Sequence, residues 1–466
     1  MKRFLHLASV LFLLAVQSAP VYATTVVAPD SFVIAQPGGF TFDARARGDS
    51  RRHWIETLNG HSVVRVADTW YFAETVSPSG TDLRASRVKV TQKTLNNPPS
   101  EAFRLSPTKN APTPSELLIA GTEQRLDSDG NFVVFLDPEE GDNSHLNYDG
   151  IFATPTNVDA GSSAKVVDRN VTQKVLVVML NYADRPFHFS VGSFRELMFS
   201  QGSGSVRNYF SQVSYGNFTI SPAEESDSSD NGAVNDGIIR VSLNEPYPLR
   251  KDDPSTPENE ADKSNYGTDE LYSQALAVAD ASINFSDFDA NRDGILWPEE
   301  LGIVFIIAGY EQAWGGKAAP KPATWGHAGW LTPNPELDGV KIKKYTAFGE
   351  EQVNQRQVDQ GIHQQATVGI MVHELGHHVL GLPDLYDTDK NNNSATGGSA
   401  SISGWGVMGS GSWGRRQGER SGTTPVGMLG WSKLAANRLL GSSQDLDKSD
   451  NGSFSLGASA LADNQY

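Results

Sequence analysis

The chain has 466 residues, room for roughly two to four domains, and its 38% hydrophobic and 20% charged content with 9 Trp, 13 Tyr and 21 Phe supplies a sizeable core. Set against 38 Lys and Arg, 55 Asp and Glu give a net charge of -17. That balance disfavours nucleic-acid and anionic-membrane partners and favours cations. There is no Cys, so stability must come from burial and bound ions.

Lys2 and Arg3 precede an apolar run over 4–16, and the segment closes on Val21, Tyr22 and Ala23. This pattern predicts a signal peptide over 1–23. No later stretch approaches about 18 unbroken apolar residues, so the expectation is a secreted, extracellular protein without membrane insertion. From 24 to 165 the chain reads as strand-rich, with alternating segments such as HSVVRVADTWYFAE (61–74) between Gly, Pro and Asn clusters. The polar, small-residue stretch 154–170 reads as a linker or processing site. KVLVVMLNY (174–182) and LGIVFIIAGY (301–310) read as buried strands, SVRNYFSQV as a short helix from Ser205, and TDELYSQALAVADASI as a helix capped by Thr268 or Asp269.

ATVGIMVHELGHHVLGLPDLYD (366–387) holds HEXXH at His373, Glu374 and His377. Helical spacing of four puts the two imidazoles on one face, able to chelate one Zn²⁺, with a carboxylate beside them to take a proton from water. A catalytic zinc needs a third protein ligand. No His follows His378, and His378 points off another face. Asp384, reached through the turn that Gly381 permits, is the first choice; Asp387, Asp389, Glu419 and the upstream His327 remain alternatives. Further on, GWGVMGSGSW (404–413) sets Met408 among glycines, like the Met-turn beneath the zinc in metzincins. The candidates for stabilising an oxyanion are Tyr386, His327 and Tyr345.

DANRDGILWPEE (289–300) fits the pattern of an EF-hand-type loop in full. Asp289, Asn291, Asp293 and Glu300 offer side-chain oxygens and Ile295 a carbonyl, a hard donor set suited to structural Ca²⁺. Because a strand rather than a long helix follows, the loop is expected to stabilise and not to signal.

Together, HELGH with GLPDLYD, WGVMGSGSW, KVLVVML with SVRNYFSQVSYG, and DFDANRDG leading into VFIIAGYE resemble the immune inhibitor A family of secreted bacterial zinc metallopeptidases. QPGGFTFDARARGDSRRHW with TWYFAE is similar to that family's propeptide. The resemblance implies zinc ligands at His373, His377 and Asp384, with Glu374 as catalytic base. In one respect the sequence departs from the family motif: Gly381 and Asp384 follow His377 by four and seven positions instead of three and six, so an extra residue such as His378 must be absorbed at the helix end, as a local bulge.

The expected architecture is α+β: a signal peptide (1–23), a strand-rich propeptide (24–165), a zincin-like catalytic domain with a twisted mixed sheet over the active-site helix (166–440) and a polar tail (441–466). The expected function is that of a monomeric zinc endopeptidase acting on proteins or peptides and made as a zymogen. The competing expectation is a non-catalytic secreted adhesin or matrix-binding module with structural metals. A structural zinc has four protein ligands, whereas three credible ones are visible here.

Overall fold

The computed structural model describes residues 171–247, 269–386 and 402–436 apart from 203, 332 and 333, most of 23–99, and three short strands between 118 and 135. The 1–22 segment, the 154–170 linker, Asp387, Asp389 and the 441–466 tail lie outside the described residues.

The fold is α+β. Its main sheet is built from β1 (Ala23–Thr24), β2 (Val171–Asn181), β3 (Phe218–Pro222), β4 (Ile238–Ser242), β5 (Gly302–Glu311), β6 (Ala323–Thr324), β7 (His327–Trp330) and β8 (Lys344–Glu351). The order is β1-β7-β8-β5-β2-β3, with β4 also on β2 and β6 also on β5. Pairings β8–β5, β5–β2, β2–β3 and β2–β4 are parallel, whereas β7 runs antiparallel to β8, so the sheet is mixed as expected.

Parallel central strands are covered on both faces, which is why β2 and β5 read as unbroken apolar runs. Alternate residues of β2 enter different cores. Val175, Val177 and Met179 pack with the helices α1 (Val191–Phe199), α2 (Val206–Val213) and α4 (Val368–Leu380). Leu176, Val178 and Leu180 pack on the other side with α3 (Asp269–Ala279). The short helix expected from Ser205 is α2, with Ser205 as its N-cap. All thirteen residues of α4 are buried, polar ones included.

Six sequential antiparallel strands, Ser31–Ala35, Thr41–Gly48, His53–Thr57, Ser62–Val66, Thr69–Thr75 and Leu83–Lys89, form a separate sheet. It meets the main body where His53 lies 4.7 Å from the Trp325 ring. The connecting segment runs past the Trp413 indole, whose Nε1 donates to Val26 O at 2.9 Å.

Candidate metal centre and its surroundings

On α4, His373 and His377 stand one turn apart with both Nε2 atoms facing inward, 3.1 Å from each other. Asp384 Oδ1 completes the triangle, 3.2 Å from His373 Nε2 and 3.1 Å from His377 Nε2. Of the alternatives for the third position that fall among the described residues, none joins this cluster. His327 is buried elsewhere, with Nδ1 2.7 Å from Trp325 O and Nε2 3.1 Å from the Tyr345 hydroxyl. Glu419 accepts from Arg416 N–H and the Thr424 hydroxyl in an exposed turn.

The loop that carries Asp384 starts at Gly381, whose φ of 64° closes α4 in the left-handed region. The additional residue after His377 produces no bulge inside the helix, contrary to expectation. It is taken up in the closing turn instead: Gly381 N–H bonds His377 O, and Leu382 N–H reaches back to Gly376 O at 3.0 Å. That span of six residues is one more than the usual Schellman closure. His378 turns away and accepts the Ile303 N–H at Nε2, 3.2 Å. Burial, and then the charge of Lys344, push this imidazole down to about 3, so it is neutral.

Outer hydrogen bonds orient the two imidazoles. His373 Nδ1 lies 2.8 Å from Val407 O and His377 Nδ1 2.5 Å from Leu382 O. A carbonyl only accepts, so both Nδ1 atoms carry protons and both Nε2 lone pairs are directed at the centre. Val407 belongs to the glycine-rich loop singled out in the sequence, and its neighbour Met408 lies against α4. A Cβ at Gly376 would sit 2.8 Å from Met408 Sδ, so glycine there lets the loop approach the helix.

Two lone pairs and a carboxylate at these separations repel unless a cation lies among them. The edge of a tetrahedron around an ion with bonds of about 2.0–2.1 Å is about 3.3–3.4 Å, close to the triangle observed. The donor set therefore fits a small divalent metal.

Beside it, Glu374 is completely buried and neither carboxylate oxygen has a hydrogen bond of normal geometry. Burial, then the charges of Asp384 and Glu311, raise its carboxyl well above the usual range, and the Ala328 backbone N–H offsets this only slightly. For Asp384 burial acts in the same direction, but the facing imidazoles of His377 and His373 outweigh it and hold the carboxyl well below the usual range.

Of the three oxyanion candidates, Tyr386 alone lies by the cluster, its ring stacked 6.4 Å from that of His373. Tyr345 is fully buried among Tyr272 and Phe305 in the other core. The sequence reading missed Glu311. This buried carboxylate accepts N–H groups of Ala313, Gly326 and Gly349 at 2.9, 3.0 and 2.9 Å and is pushed up to about 7 by burial. It ends an apolar strand, and that abrupt charge after GIVFIIAGY was its only signal.

In the proposed calcium loop, Asp289 accepts from Asp293 and Gly294 N–H, Asp293 from Ile295 N–H, and Glu300 from Ala290, Asn291 and Trp297 N–H. The backbone thus folds the acidic side chains inward. Burial and then the charges of Asp289 and Asp293 raise the Glu300 carboxyl, a crowding that a cation would relieve.

A mixed α+β fold with a buried HEXXH helix, a backed histidine pair and a carboxylate on the returning loop defines a metal-dependent peptidase class. Residues 161–443 match the family described as immune inhibitor A peptidase M6, catalytic domain, and the chain belongs to that family. It is 27% identical over 271 residues to immune inhibitor A of Bacillus thuringiensis subsp. alesti, covering 56% of this chain and 34% of that protein. It is 26% identical over 305 residues to the pre-pro-metalloprotease PrtV of Vibrio cholerae serotype O1 (strain M66-2), covering 59% and 31%. The chain thus spans about a third of the length of these relatives. Among the described residues no helix is long and apolar enough to cross a membrane.

Proposed function

We propose that this chain is a secreted zinc endopeptidase, made as a zymogen, with His373, His377 and Asp384 as zinc ligands and Glu374 as general base. The observation that carries the reading is the 3.1–3.2 Å triangle of donor atoms, with both histidine Nδ1 atoms committed to backbone carbonyls. Two imidazoles and one carboxylate suit zinc and leave a position for substrate.

A zinc ion held there supplies Lewis acidity toward water and toward the scissile carbonyl. Glu374, buried beside the centre, takes the proton of the attacking water and delivers it to the leaving amine. Val407 O and Leu382 O hold the imidazoles in the ligating tautomer. β7, the antiparallel strand beyond β8, offers its edge to an extended protein or peptide substrate, with the Ala328 backbone next to Glu374.

The zymogen reading is supported by what lies on that edge. Thr24 pairs antiparallel with His327, and further along the Ala28 N–H bonds Ala313 O at 2.8 Å and Asp30 pairs with Arg415 at 2.8 Å. Residues leading into the six-stranded sheet thus take the place of substrate until removed. The Vibrio relative is called a pre-pro-metalloprotease, and the same order is proposed here: leader 1–23, prosegment 24–165, catalytic domain 166–440 and tail 441–466. Asp289, Asn291, Asp293, the Ile295 carbonyl and Glu300 would hold a structural calcium ion, with oxygen donors that suit it.

The test compares casein hydrolysis by the processed protein and by Glu374→Gln at equal zinc content. The expected loss is about 10²–10⁴-fold; equal rates would reject the assignment.

A further inference from the structure

We propose that His188, Glu351 and His363 form a second metal site, separate from the HEXXH centre, for a borderline divalent ion of the zinc, nickel and copper class. Three segments converge there: the loop after β2 brings His188, the end of β8 brings Glu351, and the stretch leading into α4 brings His363. One donor atom from each lies within 4.8 Å of the others. His188 Nδ1 is 2.8 Å from Glu351 Oε1 and His363 Nδ1 is 2.8 Å from Glu351 Oε2. The imidazoles stack, with centroids 3.7 Å apart and planes 22° from parallel.

Glu351 is fully buried while the two histidine side chains are 32% and 37% exposed. The carboxylate therefore forms the floor of the site and the imidazoles its solvent-facing walls, which leaves an ion a way in. The charge of the surroundings agrees. Glu350, also fully buried, accepts His188 and Phe189 N–H at Oε1, 2.6 and 2.8 Å, and its Oε2 has no hydrogen-bond partner. The Arg185 guanidinium lies 3.3 Å from Glu351 Oε1 and over the Tyr310 ring at 4.5 Å. One cation against two carboxylates leaves the pocket short of positive charge. Imidazole donors select a borderline ion over calcium or magnesium.

Each histidine Nδ1 lies 2.8 Å from Glu351, inside the about 3.3–3.4 Å edge of a tetrahedron around a zinc-sized ion, so the ligands must open by about half an ångström to admit it, and the site binds more weakly. An ion here would brace the approach to α4, where Gln352 N–H bonds Gln364 O at 2.8 Å and the Thr367 hydroxyl donates to Gln352 Oε1 at 2.9 Å. The metal-free alternative is a hydrogen-bonded clamp in which two neutral imidazoles each donate to one Glu351 oxygen.

The deciding experiment is calorimetric titration of chelator-stripped full-length protein with Zn²⁺. Wild type should take two equivalents, the second at least about tenfold weaker, equivalent to about 1.4 kcal/mol. His188→Ala/His363→Ala should keep the tight equivalent and lose the weak one, and His373→Ala/His377→Ala should do the reverse. Should the first double variant fail to fold, His363→Gln alone should weaken the second equivalent by tenfold or more. A single equivalent in wild type, or a weak equivalent untouched by these substitutions, overturns the second site and makes the cluster a clamp. Loss of the tight equivalent alone would instead count against the proposed function.

Discussion

Glu311→Gln offers a sharp test of how burial controls charge in this fold. The substitution keeps an amide oxygen for the Ala313 and Gly326 N–H groups but turns an –NH₂ toward the Gly349 N–H, which Glu311 Oε2 accepts at 2.9 Å. Leaving that buried donor unpaired costs about 1–3 kcal/mol. The wild-type carboxyl has a second, pH-dependent effect. Its folded-state pKa of about 7 exceeds the ordinary 4.5, so the folded form holds the proton more tightly than the unfolded chain. Its contribution is complete below about pH 4.5 and is lost as pH rises through about 7, a total of about 3 kcal/mol. The variant lacks this slope. Urea denaturation of both proteins in chelator at pH 5 and pH 8 should show Glu311→Gln less stable by about 1–3 kcal/mol at the acid end, with the deficit shrinking by about 2–3 kcal/mol at pH 8. Glu350, also raised, is present in both proteins and cancels in the difference. Parallel stability profiles would refute the reasoning, because Glu311 would then not be titrating in this window.

His378→Leu should lower stability by about 1–3 kcal/mol by leaving the Ile303 N–H without its acceptor, with zinc content unchanged by metal analysis; loss of zinc would make His378 a ligand. Calcium at a hundredfold excess over its dissociation constant should stabilise the protein by about 2.7 kcal/mol, seen as a rise in Tm that Asp289→Ala abolishes. A Tm indifferent to calcium would leave the loop an ordinary acidic turn.

What could be read in the sequence was what local spacing decides. The four-residue interval between His373 and His377, the apolar faces around them and the turn at Gly381 specify helix, facing histidine pair and reversal before any tertiary contact is known. The buried strands 174–182 and 301–310 were legible because a strand covered on both faces has no polar alternation. The third position was not decided by spacing: Asp384 and Glu419 differ only in how the chain returns, and that depends on Leu385 N–H bonding Met408 O at 2.8 Å. The extra residue after His377 raised an expectation of a helical bulge, yet a wide closing turn absorbs it more cheaply because Gly381 tolerates the left-handed region. His327 and Tyr345 looked available in the sequence, but strand alternation sends them to the core opposite α4. His188, Glu351 and His363 are separated by 163 and 12 positions, so no motif could have joined them.

The most direct test of the central claim is an anomalous difference map at the zinc edge from crystals of the full-length protein. The account predicts its strongest peak about 2.0–2.2 Å from His373 Nε2, His377 Nε2 and Asp384 Oδ1. A zinc-replete crystal with no peak among these three atoms, or with their side chains turned apart, would contradict it.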